Sequence, residues 1–467
     1  MRYTITFLER EYRWLTQHLF DGSNREKAAY ALCRIAASGE ENRLLVRKII
    51  PVTAEDTLDS SEVHMKIRSI SFIRAMKEAN DSKQLFVFIH SHPRGFLRHS
   101  EKDDAEESEL FRTAYLRIRT QGLHGSVVLS SPDHPVGRVW MENGTHAEMD
   151  LVRVIGDRFK FHFSSAGSEP VPEFFDRQVR AFGEDVQRLL QRLHVAVVGA
   201  GGTGSAVIEQ LIRLGVGKLT IIDGERLEKS NVNRVYGSGT DDEGMEKIEI
   251  ARRSAARIGL STRMEIVNSP ISYRFSASRL KTADFIFGCT DDQLGRSILS
   301  NMAIYYGIPV LDMGVRIDSQ EGVIRSIEGR VTTLLPEKPC LYCWGKITPK
   351  GVLRDSLAQT DPQQLQELIR QGYADELETP APAVIPFTSA IASFAVMELL
   401  NRLTGFMEGD EPEQEVWFRF DWSVIKRRNH EPDERCRCGN SYFILRGDAD
   451  PFLDLTWRNE SNEKKKV

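Results

Sequence analysis

One nine-residue stretch, VVGAGGTGS, restricts the fold of this 467-residue chain more than any other. It carries G-x-G-x-x-G at Gly199, Gly201 and Gly204, with Gly202 between them. Before it, HVAVVGA is the apolar run of a buried strand; after it come the helical pattern SAVIEQLIRLG and a second apolar strand, KLTIID. A strand, a glycine turn, a helix and a strand in that order imply an α/β fold with a parallel, doubly wound sheet. The glycines let backbone amides approach phosphate oxygens at the N-terminus of the following helix. Asp223, which closes the second strand in TIIDGE, is placed to hold a ribose hydroxyl. Up to this point NAD fits as well as any other nucleotide.

The residues that follow discriminate between them. KSNVNRVYG supplies Asn231 and Arg234, GMEKIEIA supplies Lys247, and FIFGCTDDQLGR supplies Asp291 at the end of a strand. Hydride transfer has no use for an arginine, a lysine and an extra carboxylate around the phosphates, whereas adenylation does. A C-terminal carboxylate attacking the α-phosphate of ATP is already ionised and needs no base. Catalysis then rests on cations that neutralise the phosphates and on Mg²⁺ held by a carboxylate.

From FDRQVRAFG through ELLNRLTG these motifs resemble the ThiF-type adenylating family, which includes sulfur-carrier activators and ubiquitin-activating enzymes. The resemblance implies a Rossmann-like adenylation domain in which Asp223 binds ribose. It also implies that Asn231, Arg234 and Lys247 contact the ATP phosphates and that Asp291 holds magnesium. Arg177 in DRQ matches an arginine that reaches the γ-phosphate of the neighbouring subunit, which implies a homodimer through this domain. Two positions depart from the family: Glu225 stands where it has a second aspartate, and Val235 stands where glutamine usually follows the arginine.

A second constellation lies nearer the start. FIHSHPRGFLRHSEKDD holds His90, His92, Ser100 and Asp103 in the order H-x-H-x7-S-x2-D. Alternate residues of a strand share a face, so His90 and His92 can point at one metal. Asp103, arriving from the next helix, completes three ligands and leaves the fourth position to water, the open geometry of a catalytic zinc. Such zinc lowers its water's pKa towards ~7, and Ser100 suits the donor that stabilises a tetrahedral oxyanion. The competing reading makes Ser100 a helix N-cap and the acidic run a complement to the helix dipole. Over the first third of the chain the pattern resembles the JAB/MPN metalloenzymes, whose JAMM members cut isopeptide or peptide bonds after ubiquitin-like proteins. The resemblance makes Glu26, in EKAAYAL, the further catalytic glutamate, with Ala29 where the family often has glycine. His99 and His124 match no motif role and are read as structural.

Four of the six cysteines form two close pairs, Cys340/Cys343 in PCLYCW and Cys436/Cys438 in ERCRCG. Six cysteines in a long cytosolic chain suggest metal chemistry rather than a disulfide framework. Four thiolates suit a closed tetrahedral site, in the region where the ThiF family carries structural zinc. The second pair is C-x-C rather than the family's C-x-x-C. Ubiquitin-activating enzymes usually carry a thioester-forming cysteine in the loop that crosses the active site, here ELETPAPAVIPFTSA, and no cysteine is there. Thr379 sits near the expected place, followed by Thr388 and Ser389, while Cys289 lies in a buried-strand motif and Cys33 is flanked by apolar residues. Either a hydroxyl carries the activated protein as an oxyester or the adenylate passes directly to another molecule.

The divisions expected are a peptidase domain over 1–163, a linker over 164–172 marked by small residues and prolines, an adenylation domain over 173–446 and a charged tail over 447–467. Within the adenylation domain FDRQVRAFGEDVQRLLQRL reads as one helix. Lys and Arg number 62 against 67 Asp and Glu, a net charge of −5, so no basic field argues for nucleic acid or an anionic membrane. With no apolar run near the ~18 residues of a membrane helix and no apolar signal core, a cytoplasmic protein is expected. The chain thus reads as a peptidase fused to an activating enzyme, acting with a ubiquitin-like β-grasp protein and a conjugating-enzyme-like partner, with ATP, Mg²⁺ and two Zn²⁺ ions. Such fusions resemble components of bacterial ubiquitin-like conjugation systems associated with defence against phage. The alternatives are a sulfur-carrier activator for thiamine, molybdopterin or cysteine synthesis, and a non-enzymatic scaffold with degenerate sites.

Overall fold

The computed structural model describes all residues except 94, 121, 166, 168, 169, 374–381, 408–412 and 458–467. The chain forms two compact units, one of Met1–Ser168 with Ile444–Asp448 and one of Glu169–Phe443 with Ala449–Val467.

The first unit contains β1 (Arg2–Leu8), α1 (Glu9–Leu19), β2 (Ala28–Ala37), β3 (Glu41–Pro51), β4 (Thr57–Ser60), β5 (Met65–Ile67), α2 (Ser69–Asp81), β6 (Leu85–Ser91), α3 (Glu101–Arg117), β7 (His124–Leu129), β8 (Pro135–Trp140), β9 (His146–Glu148), β10 (Leu151–Ile155) and β11 (Lys160–Phe163). Nine of these strands form one mixed sheet in the order β11-β10-β1-β3-β2-β6-β7-β8-β9, and β4 and β5 pair with each other. The segment REKAAYALCRIAAS, ambiguous in sequence between helix and strand, is the strand β2. Its side chains divide between the two faces with period two. Ala29, Ala31 and Cys33 pack with Leu15 and Leu19 of α1. Ala28, Tyr30 and Leu32 pack on the other face with Ala75 and Met76 of α2 and Phe111 and Ala114 of α3. A strand buried on both faces has no polar alternation, which is why periodicity alone could not assign it.

The second unit starts with α4 (Asp176–Phe182) and α5 (Glu184–Leu190), where the sequence reads as a single helix. Gly183, at φ +87°, ends the first helix and starts the second, a conformation a side chain would resist. There follow β12 (His194–Val198), α6 (Gly202–Leu214), β13 (Lys218–Ile222), α7 (Lys247–Ile258), β14 (Arg263–Val267), α8 (Arg274–Arg279), β15 (Phe285–Gly288), α9 (Gln293–Tyr306), β16 (Val310–Gln320), β17 (Val323–Leu334), α10 (Pro349–Thr360), α11 (Pro362–Arg370), α12 (Ile385–Thr404), β18 (Glu415–Arg419) and β19 (Val424–Arg428). The sheet order is β14-β13-β12-β15-β16-β17-β18-β19. The first five strands run parallel and the last three are added antiparallel. Strand order reverses between β12 and β15, and ligands of such sheets bind in the crevice beyond the carboxyl ends at that switch.

The sequence reading assigns residues 447–467 to a charged tail, but the described part of it is packed. Asp448 donates its N–H to the Ile35 carbonyl at 2.8 Å and accepts the Ala37 N–H at 2.7 Å. In the second unit Phe452 and Leu453 are buried, and Asn301 Nδ2 donates to the Leu453 carbonyl at 3.3 Å. The apolar residues between Ile444 and Leu455 offset the ordering entropy that a purely charged tail could not.

The glycine turn is the tightest point of the second unit. A Cβ on Gly204 would lie 1.8 Å from the Gly199 carbonyl oxygen and 2.8 Å from its carbon, both backbone atoms. Gly204→Ala therefore has to displace α6 from β12. We expect a loss of roughly 1–3 kcal/mol in unfolding free energy, read as a lower urea midpoint. An unchanged midpoint would contradict the packing described here.

Candidate active sites

In the first unit β6 carries His90, and His92 is the residue after its end, on the face covered by α2 and α3. Ala28 of β2 is the register partner of His90, and the Ser91 N–H donating to the Lys27 carbonyl at 2.9 Å continues the ladder to Glu26. Glu26 is thus set across from His92 by ladder geometry. Ser100 is the N-cap of α3: its Oγ accepts the Asp103 N–H at 3.2 Å and donates to Asp103 Oδ2 at 2.7 Å. The Ser100 N–H donates to the same oxygen at 2.6 Å, closing a capping box. The cap reading holds, and the same capping box holds the Asp103 carboxylate beside His90 and His92. The Ser100 hydroxyl is engaged with Asp103 in this structure.

The ligand atoms converge. His90 Nε2 lies 3.1 Å from His92 Nε2 and 3.3 Å from Asp103 Oδ1, and His92 Nε2 lies 3.4 Å from Asp103 Oδ2. Zinc bonds of about 2.0–2.1 Å at tetrahedral angles put neighbouring ligand atoms about 3.3 Å apart. The donor set and its spacing fit one Zn²⁺. Burial lowers the affinity of the His92 imidazole for a proton, but the hydrogen bond and charge of Asp103 outweigh it and raise its pKa. Burial acts upward on Asp103, yet the two imidazoles hold it well below the usual carboxylate range. Glu26 is raised, chiefly by desolvation, with His90 and His92 opposing. It is therefore the basic carboxylate in a site whose other carboxylate is held ionised.

A polar cluster behind this site had no signature in the sequence. Glu107 and Arg138 are each 2% exposed. Glu107 Oε2 accepts from Ser126 Oγ at 2.5 Å, Arg138 Nε at 2.9 Å and Trp140 Nε1 at 3.0 Å. Arg138 also pairs with Asp104. His99 reaches Ser126 Oγ through Nε2 at 3.2 Å, and burial pushes its pKa well below the ordinary histidine value. His124 Nδ1 accepts the Phe86 N–H of β6 at 3.1 Å.

In the second unit the glycine turn and the loop after β15 meet at the switch point. Gly199 has φ +94°, and a Cβ there would sit 2.7 Å from the Cys289 carbonyl oxygen. A Cβ on Gly201 would meet nothing within 4 Å, so the turn is open on the side that a phosphate would occupy. No side chain caps the N-terminus of α6, leaving its first amides and the positive end of its dipole for an anion. Asp223 accepts the Ala200 N–H at 2.6 Å and the Glu225 N–H at 2.7 Å, and desolvation raises its pKa against those two bonds. Arg234 donates to Asn231 Oδ1 and to the Ser230 carbonyl, each at 2.5 Å, and its side chain lies against Gly202. Lys247, buried at the start of α7, pairs with Glu225, the residue that departs from the family pattern. Asp291 is exposed two residues before α9, while its neighbour Asp292 is that helix's N-cap, accepting the Gly295 N–H at 2.6 Å. Of these two adjacent carboxylates only Asp291 is left for a cation. Arg177 is exposed on α4.

The two cysteine pairs meet across about a hundred residues of sequence. Cys340 Sγ lies 3.4 Å from Cys436 Sγ and 4.0 Å from Cys343 Sγ, and Cys343 Sγ lies 3.4 Å from Cys438 Sγ. Tetrahedral zinc with bonds of about 2.3 Å separates its sulfurs by about 3.8 Å, so the C-x-C spacing does not prevent a four-thiolate site. Mutual hydrogen bonding drives the thiols apart in acidity, raising Cys340 and lowering Cys436. Thr379 lies outside the described residues. Thr388 is buried in the first turn of α12 with Oγ1 on the Ile385 carbonyl, and Ser389 Oγ is 2.9 Å from Tyr236 Oη. Burial raises the Cys289 thiol well above its ordinary value and Cys33 likewise, so neither is poised as a thiolate nucleophile. We expect metal analysis to find zinc that Cys436→Ser removes, with a lower melting temperature. Zinc content unaltered by that substitution would rule out the four-cysteine site.

A model of the ThiF family matches residues 175–440, more than half of the chain. The SAMP-activating enzyme E1 of Haloferax volcanii is 31% identical over 165 residues, 34% of this chain and 56% of that enzyme. The chain therefore spans a little over half the length of that relative. The molybdopterin-synthase adenylyltransferase of Escherichia coli is 27% identical over 183 residues, 38% of this chain and 70% of that enzyme. Ubiquitin-like modifier-activating enzyme 5 of Caenorhabditis elegans is 25% identical over 317 residues, 65% of this chain and 69% of the relative. With the glycine turn, Asp223 and Asp291 at the switch point of a doubly wound sheet, and a family match over most of that unit, the chain belongs to the ThiF family of adenylating proteins.

Proposed function

We propose that this protein adenylates the C-terminus of a ubiquitin-like β-grasp protein with ATP, and that its first unit is a JAB/MPN-type zinc peptidase that processes or removes the same protein. In the adenylation step an oxygen of the C-terminal carboxylate attacks the α-phosphorus, the bond to the bridging oxygen breaks, and pyrophosphate leaves. Asp223 holds the ribose, the turn amides with Asn231, Arg234 and Lys247 hold the phosphates, and Asp291 is the magnesium ligand. Arg177 reaches the γ-phosphate of the neighbouring subunit in a homodimer. The family match supports the adenylation reading, and the unpaired exposed carboxylate at the switch point supports the magnesium role. Magnesium supplies neutralisation of charge on the leaving pyrophosphate.

The observation that carries the peptidase half is the convergence of His90, His92 and Asp103, spaced for one zinc, with Glu26 across from His92. Zinc supplies Lewis acidity and a water of lowered pKa. Glu26 would accept a proton from the water as its oxygen bonds to the scissile carbonyl carbon and would return that proton to the amine as the C–N bond breaks, and Ser100 would donate to the oxyanion once its hydroxyl turns from Asp103. With no cysteine between positions 374 and 390, the activated carrier passes directly from the adenylate to a conjugating-enzyme-like partner; a hydroxyl such as that of Thr379 is the second route. We place the protein in the cytoplasm, in a bacterial conjugation pathway directed against phage. Its likeness to the Escherichia coli molybdopterin-synthase adenylyltransferase favours a second reading, activation of a sulfur carrier.

ATP–pyrophosphate exchange with each small β-grasp protein encoded nearby tests the first half. Asp291→Ala and Lys247→Ala should each slow exchange on the order of 10²–10³-fold, the size of a lost charge stabiliser. Exchange that persists in both variants would sink the assignment, and charging of a sulfurtransferase in place of a conjugating enzyme would establish the second reading. For the peptidase, a carrier bearing a C-terminal extension is the substrate. His92→Ala and Glu26→Ala should abolish cleavage while leaving exchange intact, and undiminished cleavage by either would show that the peptidase centre lies elsewhere.

A further inference from the structure

The metal reading leaves unexplained the buried charges behind it. Glu107 lies one helical turn beyond Asp103 on α3, at the i,i+4 spacing that puts both on one side of the helix. Its Oε2 gathers donors from two strands: Ser126 Oγ of β7 at 2.5 Å, and Arg138 Nε at 2.9 Å and Trp140 Nε1 at 3.0 Å of β8. Arg138 Nη2 adds a contact at 2.8 Å, and the same guanidinium pairs with Asp104, three residues before Glu107. The Arg138 guanidinium also lies over the Trp140 ring, 5.1 Å from its centroid. One carboxylate and one guanidinium thus tie the first two turns of α3 to β7 and β8. Strand β7 is in turn the parallel neighbour of β6, with His90 and Val128 in register.

Taking such a pair from water is costly, and well-packed apolar residues of similar volume serve stability as well or better. A buried pair of this kind is explained by fixing geometry rather than by adding stability. The geometry it fixes is the distance from the end of β6, which holds His90 and leads into His92, to the first turn of α3, which holds Asp103. His99 fills the space between, with its ring 6.3 Å from that of His90 and Nε2 on Ser126. The capping box orients the Asp103 carboxylate locally, but only a tie between helix and sheet sets how far it reaches.

We propose that Glu107 and Arg138 are positioning residues that preset Asp103 as the third metal ligand. The inference rests on the reading of His90, His92 and Asp103 as a metal site. Cobalt(II) titration of the full chain tests it, with the spectrum of His92→Ala subtracted so that absorption from the cysteine cluster cancels. Glu107→Gln keeps the volume and one acceptor oxygen while removing the charge that faces Arg138. It should weaken cobalt binding on the order of tenfold, as loss of a partner behind a ligand does, and lower the visible absorption of the four-coordinate ion. Trp140→Phe, which removes one donor and keeps the packing, should give a smaller change in the same direction and serves if Glu107→Gln does not fold. Folded variants with wild-type affinity and spectrum would overturn the inference while leaving the metal site standing. Equal cobalt binding by wild type and His92→Ala would overturn the metal reading, and the inference with it.

Discussion

Close backbone approach at the glycine turn is the constraint on which the second unit depends. Helix α6 begins so near β12 that no side chain is tolerated at Gly204. That closeness leaves the first amides of α6 uncapped beside the turn and at the point where strand order reverses. The crevice there is bounded by Asp223 on one side and by the loop carrying Asp291 on the other. A looser helix would carry the amides and the positive end of the helix dipole away from that crevice.

The first unit meets a different demand, because the side chains that could hold a metal come from a strand end and a helix with no covalent reason to be close. Strand periodicity aligns His90 with His92, and the capping box orients Asp103. Both devices are local. The buried carboxylate and guanidinium behind them act at longer range, and the bonds to Glu107 join residues 19 to 33 positions apart. A buried charge that lost its partner would be strongly unfavourable, so the cluster holds α3 to the sheet.

In both units one group often carries two duties. The Asp103 carboxylate accepts the N–H of the N-cap Ser100 and faces two imidazoles; Glu225 accepts from Lys247 while its N–H donates to Asp223. In the crevice at the switch point Arg234 is paired with Asn231 and Lys247 with Glu225. Such pairings keep charges satisfied before an anionic ligand arrives, and the ligand's phosphates must compete with them.

What the sequence determined by itself were the features whose period or spacing is local. The strand–turn–helix around Gly199, His90 and His92 at strand spacing, Ser100 with Asp103 at capping-box spacing, and the family pattern from Asn231 to Asp291 all lie within short stretches. Their geometry is set by 2.0- and 3.6-residue repeats and by the conformational freedom of glycine. Tertiary structure decided what depends on partners far along the chain. It made β2 a strand buried on both faces, drew Cys436 and Cys438 to within reach of Cys340 and Cys343, and packed the segment around Asp448 that charge alone had made a tail. It also assembled Glu107, Ser126, Arg138 and Trp140, none of which forms a motif in sequence. The physical reason is the same in each case: a side chain's burial and its hydrogen-bond partners are set by packing between elements, and no pattern within one element encodes them.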